Sequence, residues 1–198
     1  MLLAKFALRL LPVFLSAVAA TVLGYVLAPG QVTPTAQIVS IITALIFYST
    51  LITFRKVPGW SFCFLIVFGF AVGRTAAVLA TPTSNASGMV VPVLMAMVLL
   101  VLAGISGRGF QIGFAVFGRL LWLGGLIYWA GLILLTMVPV ELLLWDLWLG
   151  GGIVLFTGMA ASWFANLRQE EIDTDYVKLS SELYLLGLNL WLGANLLL

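Results

Sequence analysis

The sequence predicts an all-α integral membrane protein, and three observations lead to this fold class. Hydrophobic residues make up 63% of the 198 residues, charged residues make up only 8%, and the mean hydropathy is +1.20. A soluble domain carries about 25% charged residues, so most of this chain must face lipid rather than water. The apolar residues form stretches of about 20, the length of a helix that crosses a bilayer, and no stretch shows the alternating polarity of a barrel strand.

Seven such stretches follow one another along the chain, separated by proline and glycine, basic turns or polar loops. We predict helices near residues 6–28, 36–54, 60–80, 89–105, 113–138, 142–167 and 179–198. Lys5 and Arg9 precede an apolar stretch that is longer than a signal-peptide core, which indicates a retained first helix. The acid-rich segment RQEEIDTDYVK before the last helix is predicted to be a solvated connector. Residues 1–198 are therefore expected to form a single transmembrane domain, a seven-helix bundle.

The positive residues predict the orientation of this bundle. If there are seven helices, eight of the nine Lys and Arg residues fall on one side: Lys5, Arg9, Arg55, Lys56, Arg108, Arg119, Arg168 and Lys178. The loops on the opposite side contain only the charged residues Glu141 and Asp146. We therefore expect a cytoplasmic N-terminus and a C-terminus on the opposite side. The expected location is a bacterial inner membrane rather than a eukaryotic organelle membrane.

The composition also argues against most kinds of chemistry. The chain has no histidine, which is the commonest general base and transition-metal ligand, and it has one cysteine, Cys63. A net charge of +2 is too small to indicate a nucleic-acid partner. We predict no enzymatic activity and no cofactor. The expected partners are the lipid bilayer and other membrane proteins.

Several stretches resemble the Bax inhibitor-1 family of small seven-helix membrane proteins. The last helix, LYLLGLNLWLGANLL, is similar to the last helix of that family at Leu183, Tyr184, Leu185, Asn189, Leu190 and Trp191. The segments RKVPGWSFCFLIVFGFAVGRTAAVL, AGISGRGFQIGFAVFGRLLWLGGLIYWAGLILL and IVLFTGMAASWFANLRQ resemble the third helix, the fourth-to-fifth turn with the fifth helix, and the sixth helix. The resemblance covers residues 55–198.

The resemblance implies a pair of facing aspartates, one in each of the last two helices, which that family uses for calcium and proton sensing. Here the first position falls on Ser162, Trp163 or Phe164, depending on the gap, and the second falls on Leu186. Two close carboxylates share a proton or hold a cation because each raises the other's affinity for positive charge. Neither carboxylate is present in this chain, so the ion-sensing mechanism of the family is not expected.

Four polar residues inside or next to the predicted helices form a candidate intramembrane site. Arg74 lies within the third helix, where it either faces a pore or reaches the far interface, or pairs with Asp146 at the start of the sixth helix. Glu182 shares a helix face with Leu186 and is interpreted as a carboxylate in the first turn of the last helix, after two serines, or as a displaced carboxylate of the family site. Asn189 is expected to bond to a neighbouring helix.

Glycines with helix-packing spacing complete the candidate residues. Gly69 with Gly73 and Gly109 with Gly113 have GxxxG spacing, and Gly151 with Gly158 gives the sixth helix a smooth face. We interpret these glycines as packing inside the bundle, with contact to a partner protein as the alternative. An accessory or regulatory subunit that packs against other membrane proteins needs only packing faces, and this is the function we predict. The alternative is a pH-sensitive leak for calcium ions or protons, with Glu182 and Arg74 in place of the aspartate pair.

Overall fold

The computed structural model is almost entirely helical in the part of the chain that it describes. This part comprises residues 2–28, 57–79, 86–109, 142–167 and 169–197, together with positions 39, 42–43, 46–47, 49–50, 53–54, 123–125, 127–128 and 130–131. No strand occurs among these residues. The predicted all-α class is therefore confirmed for the described residues.

The helices agree with the predicted apolar stretches at most of their ends. In chain order they are α1 (Leu2–Lys5), a π-helical turn (Phe6–Leu10), α2 (Leu11–Val26), α3 (Pro58–Leu79), α4 (Ala86–Gly109), α5 (Leu142–Asn166) and α6 (Gln169–Leu197). The predicted third and sixth helices correspond to α3 and α5 within two residues. Most of the predicted second and fifth helices, 36–54 and 113–138, lies outside the described residues.

Three of the described helices are long and apolar enough to cross a membrane. They cover Phe6–Val26, Gly59–Ala77 and Leu143–Asn166, and a fourth apolar segment, Val93–Gly107, is shorter. Lipid offers no hydrogen bonds, so hydroxyls within such helices bond to the backbone one turn earlier. The hydroxyls of Thr21 and Thr157 do so, to Ala17 O at 2.9 Å and Ile153 O at 2.7 Å. The predicted total of seven helices and their orientation stay predictions.

A π-helical turn opens the first long helix because of a proline. The N–H of Leu11 donates to Phe6 O, five residues earlier. Pro12, which follows at once, has no N–H to offer the carbonyl of Leu8, so the regular pattern cannot run through this point. The wider turn ends where α2 begins.

The predicted connector before the last helix is helical, which corrects the prediction. α6 starts at Gln169, ten residues before the predicted start at residue 179. Asp175, with φ −122° and ψ 28°, is the non-helical residue at which α6 bends. Charged composition alone indicated a loop, but the segment gains an ionic contact with the N-terminal region, described below.

The chain divides into two compact units. The first contains Met1–Ser84 and Arg168–Tyr184, and the second contains Asn85–Leu167 and Leu185–Leu198. The side chains buried in the first unit include Leu10, Phe14, Ala17, Leu65, Phe68, Ile172 and Tyr184. Those buried in the second include Leu100, Ala103, Leu149, Phe156, Ala160, Leu190 and Trp191. α6 contributes its first half to one unit and its second half to the other.

Within the first unit, α2 and α3 run in the same direction. A Cβ added to Gly69 would lie 2.7 Å from Ala17 O, and one added to Gly73 would overlap Thr21 O. A step of four residues along α3 therefore matches a step of four along α2. By the same register Lys5, twelve residues before Ala17, is level with the start of α3.

The first half of α6 runs in this direction too. Ser180 Oγ lies 3.0 Å from Leu10 O, and Tyr184 Oη lies 2.6 Å from Thr21 Oγ1. Residues later in α6 thus contact residues later in α2. Three parallel helices meet in the first unit.

In the second unit the described helical positions 123–125, 127–128 and 130–131 run antiparallel to α5. The contacts pair the two segments in opposite order: Gly125 with Met159, Tyr128 with Gly152, and Gly131 with Trp148. Trp148 stacks on Tyr128 with ring centres 6.0 Å apart, and its indole N–H donates to Tyr128 O at 3.3 Å. This arrangement is that of two helices consecutive in the chain.

Candidate functional site

The four predicted polar residues fall in different units. Arg74 and Glu182 belong to the first unit, whereas Asp146 and Asn189 belong to the second. Arg74 is exposed, Glu182 is half-buried, and no ion pair joins these two described residues. Asp146 is exposed near the start of α5. The pairing of Arg74 with Asp146 therefore stays a prediction.

Glu182 does not lie in the first turn of its helix, so the capping interpretation is wrong. α6 begins at Gln169 and bends at Asp175, which leaves Glu182 about two turns into the second segment. The two preceding serines, Ser180 and Ser181, are buried in the middle of α6 rather than at its start. Ser181 Oγ donates to the backbone carbonyl of Lys178 at 2.7 Å instead of capping free N–H groups.

Asn189 forms its described hydrogen bond within its own helix. Its Nδ2 donates to Leu185 O, one turn earlier, at 2.8 Å. The side chain thus gives one amide proton to α6 itself, although the sequence pointed to a neighbouring helix.

The positions that the family resemblance assigns to aspartates carry uncharged side chains in a packed environment. Ser162 and Leu186 are both buried, and Trp163 packs edge-to-face on Phe164 with ring centres 5.0 Å apart. Among the described residues no group of His, Cys, Asp and Glu side chains could hold a metal ion. These positions provide packing rather than a cation site.

An ionic cluster joins the N-terminal region to α6. Lys5 forms an ion pair with Asp173, and Arg9 Nη1 lies 3.1 Å from Asp173 Oδ1 and 3.2 Å from the carbonyl oxygen of Asp173. The hydrogen bond from Lys5, with the charges of Lys5 and Arg9, holds the pKa of Asp173 below its ordinary value. We call Lys5, Arg9 and Asp173 the charge cluster. It fixes the start of α6 beside the start of the first long helix.

Replacing Asp173 with asparagine should make the melting temperature less dependent on pH in the acidic range. A folded-state pKa below the unfolded value means that the carboxylate contributes stability above about pH 4, which is lost as the pH falls through the folded pKa. Between about pH 5 and about pH 3 the melting temperature of wild type should fall more steeply than that of Asp173→Asn. The difference should be small because solvent screens this partly exposed pair.

Asp175→Asn is the matched control, since it removes an exposed carboxylate two residues away that forms no described ion pair. Equal slopes for wild type and Asp173→Asn would show that the charge cluster does not stabilise the fold.

A buried hydrogen-bond chain lies at the centre of the first unit. Tyr184, 3% exposed, places its hydroxyl 2.6 Å from Thr21 Oγ1, which in turn donates to Ala17 O. Since Thr21 has only one hydroxyl proton, Tyr184 acts as the donor to Thr21. Phe68 of α3 packs edge-to-face on the Tyr184 ring, with centres 6.1 Å apart. The hydrogen-bond chain and the ring contact thus tie three helices of the first unit together.

Glycines on α3 and α2 make this close approach possible. A Cβ at Gly69 would lie 3.2 Å from Thr21 Oγ1, and one at Gly24 would overlap Phe70 O. Backbones that touch in this way need residues without side chains at the contact. Gly69 and Gly73 therefore lie in a helix–helix interface of the first unit.

The other predicted packing glycines differ from one another. Gly151 is exposed, and a Cβ there meets no described atom within 4 Å, whereas its neighbour Gly152 packs on Tyr128. Gly158 is half-buried in α5. Gly109 is described only as the last residue of α4, and Gly113 lies outside the described residues.

Sequence reasoning missed several residues that build these contacts. They are Gly24, Gly104 and Gly107 among the packing glycines, Thr21 with Tyr184 in the hydrogen-bond chain, and the contacts within the charge cluster. A Cβ added to Gly107 would lie 2.5 Å from Ala161 O, so this glycine lies at a close backbone contact. The spacing of Gly104 and Gly107, three apart on one helix face, was a usable signal. Nothing in the sequence paired Thr21 with Tyr184.

Comparison with known proteins found no relative of this chain. The chain matches no protein-family model, no curated protein and no solved structure. The resemblance to the Bax inhibitor-1 family therefore rests on the stretches of sequence quoted above.

Proposed function

We propose that the chain is a non-enzymatic integral membrane protein, a divergent relative of the Bax inhibitor-1 family, that acts as an accessory or regulatory subunit by packing against partner membrane proteins. An exposed apolar face on α5 carries the proposal. Leu143, Leu147 and Val154 are 68%, 64% and 73% exposed, and Gly151 lies among them. Spacings of four, four and three residues put these side chains on one side of the helix.

The glycine within this face distinguishes it from an ordinary lipid-facing surface. Lipid tails cover exposed leucine and valine without help, so their exposure alone names no partner. A glycine within the face lets the backbone of another helix approach closely, as Gly73 does for α2. We call Leu143, Leu147, Gly151 and Val154 the α5 face, and we expect a transmembrane helix of another protein to pack on it.

The parallel helices of the first unit support the proposed seven-helix topology. Odd-numbered helices of a seven-helix protein cross the membrane in the same direction, and α2, α3 and α6 correspond to the predicted first, third and last. A return crossing between α2 and α3 is what the predicted second helix provides. The contact of Asp173 with Lys5 also fits a connector and an N-terminus on the same side.

Photo-crosslinking in membranes tests the α5 face. A photoreactive residue in place of Leu147 should give a protein adduct of one defined mass, and the same residue in place of Val98, exposed on α4, should give lipid adducts only. Adding Gly151→Leu should reduce the protein adduct about tenfold, the effect of losing about 1.4 kcal/mol of packing. Protein adducts of equal yield from both positions, or lipid adducts alone, would contradict the proposal.

The cation leak is the second candidate, and one observation favours it. Glu182 is half-buried in α6, between the buried side chains of Ser181 and Leu183. Against it, Arg74 forms no ion pair with Glu182, and the buried hydroxyls of the first unit bond within the protein. Cation flux into liposomes with wild type and Glu182→Gln decides between the candidates. A pH-dependent flux that the substitution abolishes would favour the leak.

A further inference from the structure

Arg74 is a basic side chain near the end of an apolar helix. It lies three residues before the end of the apolar segment Gly59–Ala77, and its side chain is exposed. It forms no ion pair or hydrogen bond with any residue that the structure describes. A guanidinium remains charged at every physiological pH, so an exposed one within an apolar helix needs an anion or water.

The packing of Gly73 fixes the depth of Arg74. A Cβ at Gly73 would lie 2.9 Å from the backbone nitrogen of Tyr25, and Tyr25 is one residue before the end of α2 at Val26. Arg74 is therefore close to the end of α2 and about one and a half turns before the end of α3 at Leu79. Tyrosine is typical of the membrane interface, where its ring sits at the level of the headgroups. The Arg74 stem is long enough to reach this level.

The arginine at the other end of the first unit has a different environment. Arg9 contacts Asp173 through a carboxylate oxygen and a carbonyl oxygen, so the protein itself supplies its acceptors. Arg74 lies at the opposite end of the same parallel helices, with no such acceptor among the described residues. An anion from outside the protein fits there.

We propose that Arg74 binds the phosphate of an anionic phospholipid at the membrane interface opposite the charge cluster. Phosphate oxygens accept two parallel hydrogen bonds from a guanidinium, a geometry that lysine cannot reproduce. An anionic headgroup carries no cation of its own to compete with Arg74, so phosphatidylglycerol should bind better than phosphatidylcholine. This site is independent of the proposed packing on the α5 face.

Native mass spectrometry of the full chain, purified in detergent and titrated with phosphatidylglycerol, tests the site. Arg74→Gln should lower the affinity for phosphatidylglycerol about fivefold. The affinity of Arg74→Lys should lie between those of wild type and Arg74→Gln, because lysine keeps the charge but loses the paired hydrogen bonds. Arg9→Gln, the same charge change at the other end, should keep the wild-type affinity.

Four results would overturn the proposal. One is wild-type affinity in Arg74→Gln or, where that variant does not fold, in Arg74→Lys. Another is an equal loss in Arg9→Gln, which would indicate a nonspecific effect of net charge. A third is an affinity for inorganic phosphate equal to that for phosphatidylglycerol, which would indicate a free-phosphate site. The last is a thermodynamic coupling between Arg74→Gln and Asp146→Asn together with unchanged lipid binding, which would identify Asp146 as the partner.

Discussion

Replacing Gly73 with alanine should lower the free energy of unfolding by about 1–3 kcal/mol, the range for overpacking a tight interface. The new Cβ would overlap the carbonyl oxygen of Thr21, a backbone atom that cannot rotate away as the end of a side chain can. α2 and α3 would have to separate along their whole contact. Steric trapping or thermal unfolding in detergent measures the change.

Gly59→Ala is the matched control on the same helix, because a Cβ there meets no described atom within 4 Å. It should leave stability unchanged or raise it slightly, since alanine favours a helix over glycine. The same effect on stability from both substitutions would contradict a close contact between α2 and α3 at Gly73.

Truncating Tyr184 to alanine should destabilise the protein by about 3–5 kcal/mol, the usual effect of removing a buried aromatic side chain. The ring lies against Phe68, and the hydroxyl bonds to Thr21, so one change affects all three helices of the first unit. Tyr184→Phe keeps the ring and should cost only about 0.5–1.5 kcal/mol.

A double-mutant cycle separates the hydrogen bond from the packing. Tyr184→Phe and Thr21→Val, measured singly and together, should show a coupling of about 0.6 kcal/mol, typical of hydrogen bonds between membrane helices. Tyr176→Ala, a half-buried tyrosine of the same helix, should cost less than Tyr184→Ala. A coupling of zero would mean that the two hydroxyls do not bond in the folded protein.

The apolar stretches predicted the positions of α3 and α5 well, for a physical reason. In lipid, the backbone must satisfy its hydrogen bonds internally. A single long apolar stretch can do so only as a helix. α3 starts at Pro58, two residues before the predicted start at residue 60, because a proline in the first turn of a helix needs no N–H partner.

The rotation of each helix about its axis was not predictable from the sequence. α5 is apolar on every side, so composition could not distinguish the exposed Gly151 from the packed Gly152. The helical start of α6 was also missed, because its charged residues suit a loop until their contact with Lys5 and Arg9 is known. Thr21 and Tyr184 lie 163 residues apart in the sequence, too far for a local pattern to pair them.

The parallel contact of α6 with α2 has a consequence for biosynthesis. The ribosome completes Tyr184 long after Thr21, by roughly 10–30 s at ordinary rates of translation. During that interval α2 and α3 are already made. The donor to the Thr21 oxygen and the carboxylate that pairs with Lys5 and Arg9 are translated only later. A premature stop codon before residue 169 should therefore destabilise the part of the protein that is translated first, and the resulting fragment should be degraded in the cell.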